Sequence, residues 1–485
     1  MDLIENSEIY RNWISEAKEL KIKGTDDILQ YIIKSKKIKP EEMTGIMKEI
    51  IKGTLKGIEE FCEEGKFKPL RLVDEINKSC TIITTKDNQE MFYYSGGVYH
   101  EGAEFMVRRV IQDILGEENT TFRSNEVVYQ LKCKTAVDRE SIDSDKYLIN
   151  LKNGIFDLEN NKLIKHSENI LSLCQLPIKY DKKAKCPKIN KFFKQIVRKE
   201  DIPVLEEMFG YCLWKDYHIQ TSFILEGTGA NGKSTYLNLL GTFLGKNNVS
   251  HVTLQDLCSR RFSLANVYKK LANTSIDLPN TKIMETGLFK SLTGGDPVQA
   301  EKKFKALFNF VNFAKMIFSA NEIPESKDMT PAFFRRMRII EFPNVFEHKK
   351  ANKHLLEELT TPEELSGLFN VALKGLKRLI EKGEFTGTPT TIDLENIYKR
   401  RSSSVACFAM DMLERDPYGA VGKHEMYTTY VEYCRLENKI EKPSNIFGRD
   451  LPRYISTSVG RQTIAGEERT PCWLGIMIKE NPSSS

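Results

Sequence analysis

Apolar residues recur every three to four positions through ILQYIIKSKKI (28–38) and GIMKEIIKGTLKGIEEFC (45–62), with Lys and Glu between them. That spacing predicts helices over residues 1–80. The pattern turns strand-like in TIITTKDNQEMFYYSGGVYH (81–100), where β-rich runs flank a Ser-Gly-Gly turn. YLINLKNGIFDLENNKLIKH (147–166) reads as two strands joined through ENNK, and VLEEMFGYCLWKD (204–216) as an amphipathic helix. From about 206 to 345 buried strands alternate with helices, which predicts an α/β core with a mostly parallel sheet.

Thr360–Phe385 predicts one long helix, with Thr361 as N-cap, Pro362 in the first turn and Glu364 closing a capping box. EFTGTPTTIDLENIYKRRSSS (384–404) has the composition of a linker. The remainder mixes short helices with a closing strand, CWLGIMI (472–478). Five units follow: a helical region 1–80, an α+β domain 81–205, the α/β core 206–345, helices and linker 346–400, and a C-terminal domain 401–485.

Composition narrows the classes. A chain of 485 residues with 40% hydrophobic and 29% charged positions is globular in character and too long for one core. A net charge of +5 permits nucleic acid as a partner without arguing for it. The ten cysteines stand singly, with no Cys-x-x-Cys pair and no zinc spacing, so they read as reduced, packed thiols. The start MDLIENSEIYRNW lacks the pattern of a signal peptide, and no run is long enough to span a membrane. The expectation is a cytoplasmic protein with no membrane partner.

The chemistry concentrates in FILEGTGANGKSTYLNLLGTF (223–243). Gly227, Gly232, Lys233 and Ser234 satisfy G-x-x-x-x-G-K-[ST] between a strand and a helix, the context that makes a phosphate-binding loop. Backbone N–H groups of Gly227, Thr228, Gly229, Ala230, Asn231, Gly232, Lys233, Ser234 and Thr235 would cradle ATP, Lys233 would meet the β/γ-phosphates, and Ser234 would bind Mg²⁺. KKLANTSIDLP offers Asp277 at a strand end as a second Mg²⁺ group, although Leu278 stands where a second carboxylate would help. FAKMIFSANEIP delivers Asn321 just past a strand, suited to orient the attacking water. PAFFRRMRIIEF places Arg335, Arg336 and Arg338 at the start of another strand, where an arginine could reach a neighbouring subunit's nucleotide.

Taken together, these motifs resemble the superfamily 3 helicases of the phage and plasmid primase–helicase group, related to the poxvirus helicase-primase. The likeness extends over roughly residues 85 to 480. KNGIFDLENNKLIKHS and KCPKINKFFKQI resemble the region before that helicase. FKSLTGGDPVQAEKKFK, FSANEIP and FFRRMRIIEF follow in its order, and ELSGLFNVALKGLKRL, YTTYVEYCRLE and NIFGRDL resemble its helical lid and C-terminal domain.

The resemblance implies an AAA+ P-loop core, a helical lid and a winged-helix-like C-terminal domain. It implies Asp277 as second-motif acid, Asn321 as sensor, and Arg336 or Arg335 as a finger acting in trans. Glu322 and Asp296 stand as substitutes for the missing carboxylate. It also implies a hairpin carrying Lys302, Lys303, Phe304 and Lys305 to single-stranded or forked DNA. In the C-terminal domain Arg449, Arg453 and Arg461 are candidates to face phosphate, the alternative being a winged helix used only for protein contacts.

The function so implied is an ATP- and Mg²⁺-dependent, ring-forming (hexameric) replicative DNA helicase of a phage, plasmid or integrated element. The alternatives are an ATP-switched replication initiator or the helicase part of a primase-helicase, with a primase or other replication proteins as partners. About 80 residues ahead of the family-like region are too few for a polymerising domain, so no primer synthesis is expected from this chain alone.

Overall fold

The structure is a computed structural model, and it describes residues 58–259, 261–303, 305–346, 352–463 and 469–479. The helices expected over 1–57 lie outside the described residues.

The first described unit pairs Ile82–Thr85, Met91–Ser95, Val98–Glu101 and Ala136–Val137 in one sheet. Helices Pro69–Ser79, Ala103–Leu115 and Thr121–Lys134 cover it. Phe61, Leu72, Val73 and Ile76 share one apolar core with Ile82, Val107 and Leu131. Packing is therefore continuous across residue 80, where the sequence pattern places a boundary. A second sheet follows, with Leu148–Leu151 and Gly154–Asp157 antiparallel and Lys162–Ile164 beside them. The expected pair of strands is thus three, because Lys152 and Asn153 make an additional tight turn.

The α/β core begins with helices α1 (Pro187–Ile196) and α2 (Ile202–Leu213). Its strands are β1 (Ser222–Glu226), β2 (Val249–Ser250), β3 (Ala272–Ser275), β4 (Pro297–Ala300), β5 (Phe308–Val311), β6 (Lys315–Ala320) and β7 (Met337–Glu341). Five form one sheet in the order β2-β3-β6-β1-β7, and every pairing is parallel. Parallel strands need both faces covered, and β3 and β6 are buried at every residue. Strands β4 and β5 form a separate antiparallel hairpin. Helix α3 (Lys233–Leu244) leaves β1, α4 (Gly287–Gly294) precedes the hairpin, and α5 (Pro331–Phe334) precedes β7.

Helix α6 (Pro362–Lys382) is capped at Thr361, whose side chain accepts from the Glu364 N–H. Glu364 does not close a capping box. Its carboxylate accepts the backbone N–H groups of Lys188 and Ile189 at 3.2 and 3.1 Å, capping α1 instead. Helix α6 crosses α2 so closely that a Cβ on Gly210 would stand 2.4 Å from the Ala372 carbonyl. The stretch expected as a linker contains helix α7 (Thr391–Ser402), opened by a Thr390/Asp393 capping box. The C-terminal unit runs helix Ser404–Met412, strand Leu413–Gly422, helices Lys423–Leu436 and Ser444–Asp450, then strands Ser458–Gln462 and Thr470–Ile478. Its sheet places the last strand between the other two. Among the described residues no helix is long and apolar enough to cross a membrane, and no cluster of His, Cys, Asp and Glu has the makings of a metal centre.

Candidate nucleotide site and nucleic-acid interface

The glycine-rich loop lies where a parallel sheet presents its ligands, outside the carboxyl ends of the strands. Strand β1 sits between β6 and β7 and ends at Glu226; Gly227–Gly232 then turns into α3. Gly232 needs to be glycine twice over. Its φ is +89°, and a Cβ there would meet Ile196 Cγ2 at 2.7 Å. Ala230 also holds a positive φ, +50°, the kind of backbone strain that functional loops retain.

Lys233 is buried in this loop. Its ammonium donates to the Gly227 carbonyl at 2.6 Å, to Asn231 Oδ1 at 3.0 Å and to Asn321 Oδ1 at 3.3 Å. Asn321 follows β6, which pairs with β1 in the register Glu226↔Ala320. The sheet thus brings together two groups 88 residues apart. Burial lowers the Lys233 pKa, opposed by the negative charges of Glu226 and Asp277. Asp277, two residues beyond β3, is exposed, as are Ser234, Thr228 and Asn321. Asn231 Nδ2 is a buried donor without a partner.

Of the two substitute carboxylates, Glu322 accepts from Asn280 Nδ2 at 2.5 Å. Asp296 lies instead near Arg336, before the hairpin and away from the loop. The pattern of motifs overlooks a different acid, Glu226. Burial raises its pKa, Arg401 opposes that shift and Glu341 adds to it. Arg401 of α7 bridges Glu226 and Glu341 at 3.1 Å each, and Arg198 reaches Glu341 at 2.9 Å. The signal in the sequence was slight: a carboxylate directly before the first glycine, and an arginine inside the apparent linker.

The three arginines separate clearly. Arg335 is exposed and donates to Gln220 Oε1 at 3.1 Å. Arg336 is buried and donates to the Ala332 carbonyl at 2.6 Å. Arg338 is buried too, held by the Thr386 carbonyl at 2.8 Å and Thr388 Oγ1 at 3.2 Å, where it fastens the chain between α6 and α7. All three stand near the start of β7, which pairs with the start of β1 through Ser222↔Met337. The chain's own loop is therefore one strand length away, roughly 17 Å at about 3.3 Å per residue.

The lysine-bearing segment is the connection between β4 and β5, as the sequence suggested. Phe304 lies outside the described residues. Lys302 is not directed to solvent: its ammonium donates to Glu90 Oε1 at 2.5 Å and stands 3.7 Å from Glu101 Oε1, both on the first sheet's unit. Lys305 is exposed. In the C-terminal unit Arg453 donates to the Ser326 carbonyl at 2.8 Å and pairs with Asp450 and Glu325, so it faces the core and not a phosphate. Arg449 and Arg461 are exposed.

Residues 6–198 match the family described as "D5 N terminal like", and residues 225–336 match a "Family of unknown function (DUF5906)". The chain is 29% identical over 231 residues to "Putative helicase L207/L206" of Acanthamoeba polyphaga mimivirus, which covers 45% of this chain and 24% of that protein. The chain is thus similar in part to viral proteins named putative helicases. A second relative, "Putative helicase 184R" of Invertebrate iridescent virus 6, is 25% identical over 272 residues, covering 51% of this chain and 25% of its own length. The chain thus spans about a quarter of the length of the curated relatives it matches. Among solved structures, the apo "NrS-1 C terminal region" aligns over 84% of this chain and 99% of its own, at 12% identity and a TM-score of 0.46.

Proposed function

We propose that the chain is an AAA+ type ATPase motor that acts on DNA as a replicative helicase, assembled as a ring with each ATP between two subunits. The observation that carries this reading is the meeting of Lys233 with Asn321 at the carboxyl edge of the sheet. A parallel order with the glycine-rich strand inside the sheet supports it, as do viral relatives named putative helicases.

ATP and Mg²⁺ fit what the loop offers. Asn231 Nδ2 is a buried donor with nothing to bind, and Lys233 is satisfied by three oxygens of the protein that phosphate oxygens would replace. When bound, ATP supplies the scissile phosphoanhydride and Mg²⁺ neutralises charge on it. Lys233 then exchanges its protein partners for phosphate. Ser234, exposed at the start of α3, and Asp277 would hold the metal ion, and Asn321 would be free to orient the attacking water. Arg335 is the finger of choice over Arg336, because it is exposed and lies a strand length from its own loop, so it serves a neighbour. The β4–β5 hairpin contacts the DNA backbone through Lys303 and Lys305, and the C-terminal unit serves as a winged helix with Arg449 and Arg461 outward.

The deciding experiment is unwinding of a forked duplex by wild type and Lys233→Ala, with mass measured with and without nucleotide. Unwinding by wild type alone, from a nucleotide-stabilised oligomer, supports the reading. Nucleotide-dependent DNA binding without strand separation would replace it with an ATP-switched initiator.

A further inference from the structure

The hairpin proposed to meet DNA is docked on the unit that precedes the core, and the contact is built from charges and rings. On the hairpin side stand Lys302 and Phe308; beside them is Tyr268. On the other side, Arg139 is buried and lies over the Phe308 ring at 4.3 Å and the Tyr268 ring at 4.8 Å. Asp87 fixes that guanidinium with bonds of 2.5 and 2.9 Å. Next to it, Glu90 accepts from Lys302 at 2.5 Å while its second oxygen is buried and without a hydrogen-bond partner. Glu101, more exposed, adds its charge at 3.7 Å.

The chemistry of this contact resembles that of the ligand it would exclude. Carboxylates hold Lys302 as phosphates would, and an arginine plane covers Phe308 as a base would. Glu90 is mostly shielded from water, so removing Lys302 leaves a poorly solvated charge, and the pair does not open without something to gain. A polyanion supplies that gain.

We propose that Glu90 and Glu101 form an acidic latch that holds the β4–β5 hairpin against the preceding unit, and that single-stranded nucleic acid competes with this latch for Lys302. The inference rests on the reading of the hairpin as a DNA contact. Binding of the strand is then coupled to release of the hairpin, which gains the freedom to move only when DNA is engaged. Without DNA the latch holds Lys302 and lowers affinity for stray anions.

The test uses the full chain and a fluorescent oligo-dT strand, with binding followed by anisotropy across a salt series. Glu90→Gln combined with Glu101→Gln should tighten binding severalfold at low salt. It should also steepen the log–log salt slope, by up to roughly 0.7, since Lys302 no longer has to leave the carboxylates to meet a phosphate. Lys303→Ala with Lys305→Ala, measured in parallel, should weaken binding and shallow the slope by roughly 0.7 for each lost phosphate contact. If the glutamine pair leaves affinity and slope unchanged while the lysine pair weakens binding, the latch is overturned and the hairpin reading stands. If the lysine pair has no effect either, the DNA path runs elsewhere and both fall. Lys302→Ala provides a second measure that does not depend on the glutamine protein folding normally. It should weaken DNA binding, and combining it with the glutamine pair should erase the gain that pair gives. A gain that persists in the combination also overturns the latch.

Discussion

Lys233 Nζ lies 3.3 Å from Asn321 Oδ1, so the loop lysine and the residue after β6 share a hydrogen bond. Each occupies the other's reserve capacity. On the proposed function, a phosphate that took Lys233 would release the Asn321 amide and so link occupancy of the loop to the state of a neighbouring strand.

Lys233→Ala tests the cradle. Loss of this buried donor should cut ATP turnover by about 100-fold or more, in the range seen when one aimed donor is removed from a charge-stabilising site. The fold should survive, because the partners left behind are two amide or carbonyl oxygens of a loop and one exposed side chain. Steady-state phosphate release alongside circular dichroism checks both halves; undiminished turnover would remove the assignment.

Asn321 variants should separate binding from hydrolysis. Asn321→Ala should lower kcat by about 10- to 1000-fold with nucleotide affinity largely retained. Asn321→Asp should behave differently, because a carboxylate beside Lys233 competes with phosphate for the same ammonium and weakens nucleotide binding. Fluorescent nucleotide titration of the two proteins gives the comparison, and equal affinities would argue against the shared hydrogen bond.

The arginines should divide into function and stability. Arg335→Ala removes an exposed side chain and should reduce hydrolysis without lowering Tm. In mixed oligomers it should impair the wild-type neighbour's site. Arg336→Ala removes a buried guanidinium that faces Asp296 and should cost about 1–3 kcal/mol of stability. Melting curves and mixing experiments on both variants decide; a strictly additive loss on mixing would exclude action in trans by Arg335.

How much of this could be read from sequence depended on whether the information was local. The loop Gly227–Ser234, Asn321 past its strand and the α6 cap at Thr361 are short-range patterns, and each takes the expected place. Helix α7 was hidden because it buries little, chiefly Leu394 and Tyr398, so its apolar period is weak. Glu364 satisfied a capping-box spacing yet went to α1, about 176 residues earlier in the chain, since buried backbone donors there need an acceptor more. Arg453 and Lys302 read as free cations for the same reason. Their partners, Glu325 and Glu90, are set by docking between units, and Glu90 lies 212 residues from Lys302.

Lys315 yields a prediction about pH that no motif suggests. It opens β6 at the edge opposite the loop, fully buried, with its ammonium 4.1 and 4.7 Å from the Tyr211 and Tyr217 rings and bonded to the Asp216 carbonyl. Burial lowers its pKa to about 7, opposed by the nearby negative charge of Asp216. An unfolded lysine titrates near ~10.4, so between about pH 7 and 10.4 the unfolded chain carries the extra proton. Stability from this group therefore rises with pH across that window, and the full penalty of burying the ammonium is present below about pH 7. Lys315→Met keeps an apolar stem of similar length and removes the charge. Its Tm should exceed that of wild type at pH 6, by roughly 2–4 °C for each kcal/mol recovered, and the difference should shrink as pH rises toward 10. Scanning calorimetry at pH 6, 8 and 10 measures this directly. A Tm difference that stays constant with pH would mean that the tyrosine rings keep Lys315 charged throughout, and the titration argument would fail.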